Sequence, residues 1–210
     1  RSLEFRAGEI MTVMEEAECF ASEGFTVLGA VNADFFDMFG DCHPSGLCVS
    51  RGRTVANPDS KNPFFGITKE GKAVISTLDE TPAESLSEAV GGGQIILSDG
   101  MINDTAPLEP FGDICHPRTA VGIRGDGKLL FTVVDGRRPE WSNGASLTEL
   151  AGLMKEAGAT RAINLDGGGS STFIVRNDGA LRMMNAPADL QRPTENLIRP
   201  VFDSLVIVKK

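Results

Sequence analysis

Polar residues suited to chemistry interrupt an apolar stretch between residues 162 and 173, which reads Ala-Ile-Asn-Leu-Asp-Gly-Gly-Gly-Ser-Ser-Thr-Phe. Asn164 and Asp166 are two residues apart, so on an extended strand they share one face while the apolar residues face the other way. Three consecutive glycines are expected where the backbone takes a positive φ or where another group approaches it closely. We therefore interpret the stretch as a loop built around a ligand, although Asp-Gly is also a common hairpin turn.

A second pair of an amide and a carboxylate occurs at Asn32 and Asp34, which are followed directly by Phe35 and Phe36. Aromatic rings beside polar groups suit the face of a sugar ring, although aromatics at a strand end are equally typical of a protein core. Asn32, Asp34 and Phe36 are therefore candidate site residues.

Charged residues adjoin two further predicted strands. His116 and Arg118 place an imidazole and a guanidinium ahead of one strand, and a guanidinium suits bidentate binding of phosphate or carboxylate, although a surface arginine is the commoner case. Asp135 ends the other strand, where a functional site or an ordinary solvated turn would be equally typical. Arg199, near the C-terminus, is uninformative in isolation.

The cysteines bear on the redox setting of the chain. If Cys19, Cys42, Cys48 and Cys115 are all oxidised, three pairings exist. The turn-rich segment between Cys42 and Cys48 favours that bridge, which leaves Cys19 to pair with Cys115. One disulfide with two buried thiols is an equally good interpretation. A metal site is disfavoured because no Cys-x-x-Cys occurs and the sequence has 2 histidines.

Length and charge narrow the class of protein. A chain of 210 residues with 41% hydrophobic and 23% charged residues is expected to form a single domain with a real core over residues 1 to 210. The net charge of −9, with no run of basic residues, disfavours nucleic acid or an anionic membrane surface as a partner. No apolar run is long enough for a membrane span, and residues 1 to 20 lack the plan of a signal peptide, so we expect a mature or trimmed chain.

Capping and periodicity signals predict three helices, over residues 12–22, 81–90 and 146–158. Alternating or continuous apolar runs predict strands, with hairpins at two pairs of neighbours: 25–31, 64–68, 73–77, 94–98, 119–124, 128–134, 161–165, 172–175 and 204–208. Strand 128–134 is expected to be central, and the stretches 38–63 and 99–117 are expected to be loops, the latter the most mobile. The fold class is α+β, with a mixed or largely antiparallel sheet and about three helices.

Five separated segments resemble the phosphodiester glycosidase family, and they occur in the family's order: Asn32-Ala33-Asp34-Phe35-Phe36, Pro117-Arg118-Thr119-Ala120-Val121-Gly122, Asp135-Gly136-Arg137, Leu147 to Ala151, and Asn164 to Thr172. The resemblance extends from about residue 10 to residue 208. It implies hydrolysis of a sugar-1-phosphodiester of the N-acetylglucosamine-1-phosphodiester type, which releases the sugar and leaves a phosphomonoester.

The resemblance also implies the setting of the protein. The partner would be a carbohydrate phosphodiester of a glycan, cell wall or exopolysaccharide. Cys48 and Cys115 fall near cysteines of the family, which favours an extracytoplasmic location, secreted or at the cell surface. The family usually has further strands ahead of the first helix, so we expect this chain to lack them. Asp34 stands where the family often has glycine or alanine, which makes Asp166 the safer catalytic candidate.

The bond to be cleaved suggests roles for these residues. A phosphomonoester has a second pKa of about 6 and departs without full protonation, so one carboxylate with strong anion stabilisation suffices. Asp166 would activate water or stabilise positive charge on the sugar, and the other catalytic candidates are Asp34, Asp135 and His116. Arg118, with Arg199 or His116, would hold the phosphate.

The remaining candidates would bind or orient the substrate. Backbone N–H groups from Gly167 to Ser170, including Gly168 and Gly169, would form an anion-binding nest. Asn32 and Asn164 would orient the sugar or Asp166, and the other substrate-binding candidates are Phe36, Thr119, Ser170 and Ser171.

Two alternatives belong to other functional classes. A non-catalytic module would bind anionic glycans at the same loop. A metal-dependent phosphodiesterase would use Asp34, Asp135 and Asp166 as oxygen ligands for Ca²⁺ or Mg²⁺. For the glycosidase itself we expect no required cofactor, although a divalent cation is compatible with its carboxylates.

Overall fold

The computed structural model describes residues 2–4, 10–38, 42–57, 61–103, 112–188 and 198–209. Its helices are α1 (Val13–Ser22) and α2 (Leu147–Glu156). Its strands are β1 (Ser2–Glu4), β2 (Thr26–Asn32), β3 (Cys48–Ser50), β4 (Arg53–Ala56), β5 (Phe64–Thr68), β6 (Ala73–Ser76), β7 (Leu86–Gly91), β8 (Ile95–Ser98), β9 (Met101–Ile102), β10 (Arg118–Arg124), β11 (Leu129–Val134), β12 (Ala159–Leu165), β13 (Phe173–Asn177), β14 (Ala180–Met183) and β15 (Ser204–Lys209).

The strands form three five-stranded sheets. Their orders are β1-β15-β2-β13-β14, β11-β10-β12-β8-β9 and β4-β3-β7-β5-β6. Every ladder between described strands is antiparallel, which confirms the predicted largely antiparallel α+β class. The first two sheets bring the ends of β2, β10 and β12 together, and the candidate site lies there.

All three sheets contribute to one central core. Val31, Phe65 and Ile163 come from different sheets and lie in the same buried cluster. Each helix covers the outer face of one sheet: α1 packs Phe20 in a cluster with residues of β2 and β15, and α2 packs Leu150 in a cluster with residues of β8, β10 and β12. Burial of these apolar side chains is the main force holding the sheets together.

Both helices begin at a capping box, as the sequence predicts. The Thr12 hydroxyl accepts from the Glu15 N–H at 3.2 Å, and the Glu15 carboxylate accepts from the Thr12 N–H at 2.8 Å. Ser146 and Glu149 repeat the arrangement at 3.2 and 2.8 Å. Each box satisfies two backbone donors that a helix start otherwise leaves without a partner.

The predicted helix over residues 81–90 is wrong. A single 3-10 turn, Ala83–Ser85, leads directly into strand β7, which lies in the middle of its sheet between β3 and β5. The Thr81 hydroxyl pairs with the Ser76 hydroxyl at 2.8 Å, and Pro82 occupies the cap position without a side-chain hydrogen bond. Strand pairing on both sides outweighs the local capping signal, so the described residues contain two α-helices instead of about three.

Two other predictions fail for reasons of tertiary structure. Strand β11 is an edge strand that pairs only with β10 in its sheet, although its apolar run predicted a central position. The predicted loop 38–63 contains β3 and β4. Part of the predicted mobile loop 99–117, residues 104–111, lies outside the described residues.

All four cysteines are free thiols, so neither predicted disulfide is present. Cys48 is buried in the central core, and burial raises the pKa of its thiol. The Cys115 thiol donates to the Glu149 carboxylate at 3.7 Å. None of the described helices has the length and apolar composition that crossing a membrane requires.

Candidate active site

Asn32 joins the ends of two sheets at the centre of the site. Its side-chain oxygen accepts from the Thr119 hydroxyl at 2.8 Å and from the Thr172 N–H at 3.1 Å. Its amide nitrogen donates to the Asp166 backbone carbonyl at 2.6 Å. Asn32 is fully buried, and these three bonds fix the glycine loop to β2 and β10. Of the two roles predicted for Asn32, the geometry matches orientation of Asp166.

The glycines after Asp166 form a turn that only glycine fits. Gly167 packs so closely on the chain that a Cβ there would lie 2.6 Å from the Pro117 carbonyl oxygen. Gly168 has a φ of +60°, and a Cβ there would lie 3.0 Å from a guanidinium nitrogen of Arg137. The predicted need for close approach and positive φ is therefore met at these two positions.

The backbone N–H groups of this turn are mostly used within the protein. Gly167 donates to the Asp166 carboxylate at 2.8 Å, Gly168 to the Pro117 carbonyl at 2.9 Å, and Ser170 to the Gly167 carbonyl at 3.2 Å. The predicted nest from Gly167 to Ser170 therefore has three of its four donors occupied. Gly169 and the Ser170 and Ser171 side chains are buried in the same turn.

Asp166 is the carboxylate that the turn presents. Its backbone N–H donates to the Ala33 carbonyl at 2.8 Å, and its side chain accepts from Gly167. Burial raises the pKa of Asp166 to about 6, although hydrogen bonds from Ser170 and Gly167 and the charges of Arg199 and Arg137 act in the opposite direction. A carboxylate with this pKa exchanges a proton near neutral pH, which acid-base chemistry requires.

Arg137 reaches the same turn from the loop after β11. Its guanidinium lies against Gly168, and its Nε donates to His116 Nδ1 at 3.5 Å. Its backbone has a φ of +57°, a conformation that costs a non-glycine residue free energy and is retained mostly at functional positions. The pKa of His116 is lowered by burial and by the charges of Arg137 and Arg118, so a neutral imidazole faces the guanidinium. Arg137 lies within the recognised segment 135–137 but was not among the predicted site residues.

Arg199 is the second cation beside Asp166. Its Nη1 donates to the Ser170 hydroxyl at 3.4 Å, and its charge lowers the pKa of Asp166. Arg137 and Arg199 therefore act on the same carboxylate from different chain segments. Arg199 is uninformative in isolation and is a phosphate-binding candidate only through the family resemblance; the structure places it at the glycine turn.

Two backbone carbonyls hold the guanidinium of Arg118. Arg118 is 8% exposed, its Nε donates to the Ala145 carbonyl and its Nη2 to the Ile114 carbonyl, both at 2.9 Å. These bonds hold the segments on either side of His116 in place. The guanidinium that lies against the glycine turn is that of Arg137, and phosphate binding by Arg118 stays a prediction.

Asp135 anchors a loop through both of its carboxylate oxygens. Oδ1 accepts from the Asn185 side chain at 3.1 Å and from the Ala186 N–H at 2.9 Å, and Oδ2 accepts from the Trp141 indole at 3.2 Å. Asn185 also donates to the Ser171 carbonyl at 2.9 Å, which ties this loop to the glycine turn. These hydrogen bonds fix the position of the Asp135 carboxylate, and its catalytic role stays a prediction.

Asp34 lies behind Asp166 in a buried acidic pair with Asp203. The Asp34 N–H donates to Asp203 Oδ1 at 2.7 Å, and Asp34 Oδ2 accepts from the Gly46 N–H at 2.6 Å. The other oxygen of each carboxyl group is buried without a hydrogen-bond partner. Burial raises the pKa of Asp34 to about 7 and that of Asp203 well above its ordinary value, and the charge of Asp34 raises the pKa of Asp203 further. Sequence analysis missed Asp203 because nothing local marks it.

The remaining candidates occupy the walls of this region. Asn164 is buried beside Gly93, where a Cβ would lie 3.1 Å from its amide nitrogen. Thr119 and Ser171 bring their hydroxyls to 3.4 Å from each other and are buried. Phe36 is partly buried and packs against two of the core clusters, as the core interpretation of this ring requires, and its sugar-binding role stays a prediction.

The described part of the chain does not form a metal cluster. No three His, Cys, Asp or Glu side chains there are arranged to hold a metal ion. Of the three carboxylates suggested as ligands, Asp135 uses both oxygens within the protein, whereas Asp34 and Asp166 lie near each other. The metal-dependent alternative at these three carboxylates stays a prediction.

Comparison with known proteins identifies the family. The phosphodiester glycosidase family model matches residues 25–208. The chain belongs to the phosphodiester glycosidase family. Two curated relatives are the N-acetylglucosamine-1-phosphodiester alpha-N-acetylglucosaminidases of Mus musculus and Homo sapiens, 31% and 30% identical over 165 residues. Each match covers 70% of this chain and 31% of the relative, so the chain spans less than a third of these glycosidases.

Solved structures share the same architecture. The catalytic domain of zebrafish N-acetylglucosamine-1-phosphodiester alpha-N-acetylglucosaminidase superposes with a TM-score of 0.81 and 27% identity. The match covers 100% of this chain and 74% of the zebrafish chain. A hypothetical protein from Synechocystis matches with a TM-score of 0.67 and 16% identity, over 100% of this chain and 57% of that one, and this likeness concerns the fold alone. The antiparallel sheets described above are thus a phosphodiester glycosidase fold.

Proposed function

We propose that this protein hydrolyses a sugar-1-phosphodiester to the free sugar and a phosphomonoester. The observation that carries the proposal is the position of Asp166, a carboxyl group with a pKa of about 6 under the charges of Arg137 and Arg199 at a glycine turn. Membership of the phosphodiester glycosidase family supports this class of reaction. The N-acetylglucosamine ester named for the curated relatives is the proposed substrate type.

The two guanidinium groups suit the phosphodiester. An arginine binds phosphate oxygens with two parallel hydrogen bonds and keeps its charge at every physiological pH. Cations held beside the leaving phosphate stabilise the negative charge that develops as the bond to the sugar breaks. Because the departing phosphomonoester has a second pKa of about 6, it leaves without a strong acid to protonate it.

Asp166 supplies the single carboxylate that the reaction needs. In its ionised form it activates a water molecule or stabilises positive charge at the sugar carbon that is attacked. Asn32 and the Ala33 carbonyl hold the Asp166 backbone, at 2.6 and 2.8 Å, so its carboxylate has a defined position. Asp34 does not contact the substrate in this mechanism, and the two carboxyl groups interact through space.

The test is hydrolysis of N-acetylglucosamine-1-phosphomethyl ester by the wild type and by Asp166→Asn. We expect the variant to lose at least roughly a hundredfold in kcat. Asp126→Asn is the matched control, because Asp126 is an exposed hairpin carboxylate paired with Lys128. Equal activity in wild type and Asp166→Asn would overturn the role of Asp166.

The same reaction in oxygen-18 water identifies the bond that breaks. Label in the sugar corresponds to cleavage between carbon and oxygen, as proposed, whereas label in the phosphate corresponds to a phosphodiesterase. Binding of the ester without any turnover would instead support the glycan-binding alternative. Activity that survives a chelator such as EDTA is expected, and its loss would favour a divalent cation at Asp166 and Asp34.

The natural setting is also part of the proposal. The substrate is a carbohydrate phosphodiester, and a glycan of a cell wall or exopolysaccharide fits the unknown group beyond the phosphate. An extracytoplasmic location follows from the family resemblance alone, because the free cysteines lend it no support.

A further inference from the structure

Trp141 is the single tryptophan of the sequence, and its side chain faces solvent. It is 74% exposed, more than any other large hydrophobic residue in the described part of the chain. An indole ring buries a large apolar area wherever a partner is available, so an exposed one beside a functional site points to a ligand.

A hydrogen bond at the edge of the indole ring fixes the position of the ring. Its Nε1 donates to Asp135 Oδ2 at 3.2 Å, and Asp135 is itself fixed by Asn185 and Ala186. The short loop that carries Trp141 is closed at both ends, because Arg138 and Ser142 exchange backbone hydrogen bonds at 3.0 and 2.7 Å. Because the indole N–H already donates to Asp135, the part of the ring that is available to a ligand is its flat apolar face.

The ring stands on the rim of the candidate active site. Arg137, from the same loop, reaches Gly168 of the glycine turn. Asn185, which holds Asp135, also donates to Ser171 of that turn at 2.9 Å. In order of connection, Asp166 and then Arg137 are at the glycine turn itself, and Trp141 follows, linked to the turn through Asp135 and Asn185.

This order matches the order of groups in a sugar-1-phosphodiester. The sugar carbon that is attacked must reach Asp166, and the phosphate must reach the guanidinium of Arg137. The group on the far side of the phosphate then lies toward the rim. We propose that Trp141 is a stacking platform for a sugar ring on the far side of the phosphate, which makes it a specificity-determining residue. This inference rests on the proposed function.

The chemistry of a sugar ring fits this surface. One face of a pyranose carries mostly C–H groups, which pack on an aromatic ring while the hydroxyl groups point to water. A methyl group in the same place is too small to cover the indole. The platform therefore predicts discrimination between phosphodiesters that differ only beyond the phosphate.

Fluorescence tests the contact directly, because all tryptophan emission comes from Trp141. Two esters of N-acetylglucosamine-1-phosphate are titrated into Asp166→Asn, in which turnover is expected to be slow: one carries glucose through its 6-hydroxyl group, and the other carries methyl. We expect the glucosyl ester to shift or quench the emission in a saturable way and the methyl ester to change it much less. Equal responses to both esters, or none, would overturn the platform.

Kinetics supplies the second readout. Trp141→Ala is expected to raise KM for the glucosyl ester by roughly fivefold to tenfold relative to KM for the methyl ester, with kcat changing little. Trp141→Phe retains a ring and should recover most of this preference. Met101→Ala is the control, since Met101 is 67% exposed on β9, at the opposite edge of the sheet from β11. A parallel change for both esters would mean that Trp141 merely stabilises the loop, which contradicts the proposal.

The two proposals fail in different ways. If neither ester is hydrolysed but the glucosyl ester alone changes the emission, the hydrolase function is wrong and the platform stands. If both esters are hydrolysed with the same KM ratio in wild type and Trp141→Ala, the function stands and the platform is wrong.

Discussion

Replacing Asp203 by asparagine should weaken the dependence of stability on pH. Asp203 is fully buried, and its Oδ1 accepts from the Asp34 N–H at 2.7 Å. The asparagine side chain would keep this acceptor and would place an N–H₂ group where Asp203 Oδ2 now lacks a partner. The substitution therefore preserves shape and removes one buried carboxyl group from a like-charged pair, which Glu16 and Asp166 also face.

The size of the effect follows from the raised pKa values. The pKa of Asp34 rises from 3.8 to about 7, and that of Asp203 also lies well above 3.8. At pH values between the ordinary pKa and the raised pKa, these carboxyl groups are protonated in the folded protein and ionised in the unfolded chain. The free energy of unfolding therefore falls as pH rises. Asp34, with a pKa of about 7, contributes about 1.4 kcal/mol per pH unit below that value, and removing Asp203, whose pKa is also raised, should flatten the profile between pH 5 and pH 7.

Urea unfolding at pH 5, 6 and 7 measures this profile. The wild type should lose more stability across this range than Asp203→Asn, and at pH 7 the variant should unfold at a higher temperature in a thermal scan. Asp126→Asn is the control for a change of net charge, because Asp126 is half-exposed. A variant whose profile is as steep as that of the wild type would refute the idea that the pair takes up protons within this range.

Three other outcomes are expected. Arg137→Lys keeps the charge but loses bidentate binding, so kcat/KM for the phosphomethyl ester should fall by roughly tenfold to a hundredfold in steady-state assays; an unchanged value would remove Arg137 from phosphate binding. Because the pKa of Asp166 is about 6 and its ionised form is the active one, kcat/KM should fall tenfold per pH unit below that value, and a flat acid limb would contradict this assignment. Leu150→Ala opens a cavity under α2, where Leu150 is fully buried, and should cost about 2–5 kcal/mol in urea unfolding while kcat stays close to the wild-type value.

Local signals in the sequence predicted several elements of the fold. Both α-helices begin at the capping boxes that the residue spacing indicates. The hairpins of β5 with β6 and of β10 with β11 occur where glycine-containing turns separate apolar runs. These features depend on residues a few positions apart, so a single sequence window contains the relevant interactions.

Part of the candidate site was also accessible from sequence. The three glycines indicated a tight approach, and the structure has the Pro117 carbonyl and the Arg137 guanidinium against them. Asp166 is a catalytic candidate from sequence because packing does not explain a carboxylate next to such a turn. Its raised pKa was not predictable, because it depends on burial beneath segments distant in the chain.

The different surroundings of the two arginines Arg118 and Arg137 are visible only in the tertiary structure. Arg118 and Arg137 are equally charged in the sequence, and only the carbonyls of Ala145 and Ile114 show that Arg118 is used in holding the backbone. Likewise, only the structure shows that the Asp135 carboxylate accepts hydrogen bonds from the Asn185 and Trp141 side chains.

What the sequence determined by itself was the family, the antiparallel α+β class, the two capped helices and the glycine loop, since each is encoded in short motifs or in their order. What only the tertiary structure decided was where strands lie within a sheet and which polar side chains form hydrogen bonds to distant parts of the chain. The strand β7 is formed by pairing with β3 and β5 against a local helix signal. Asn32 and Asp166 are 134 positions apart, and their hydrogen bond exists only because two sheets pack together. Such contacts depend on the whole packed chain, whereas sequence motifs report their own neighbourhood.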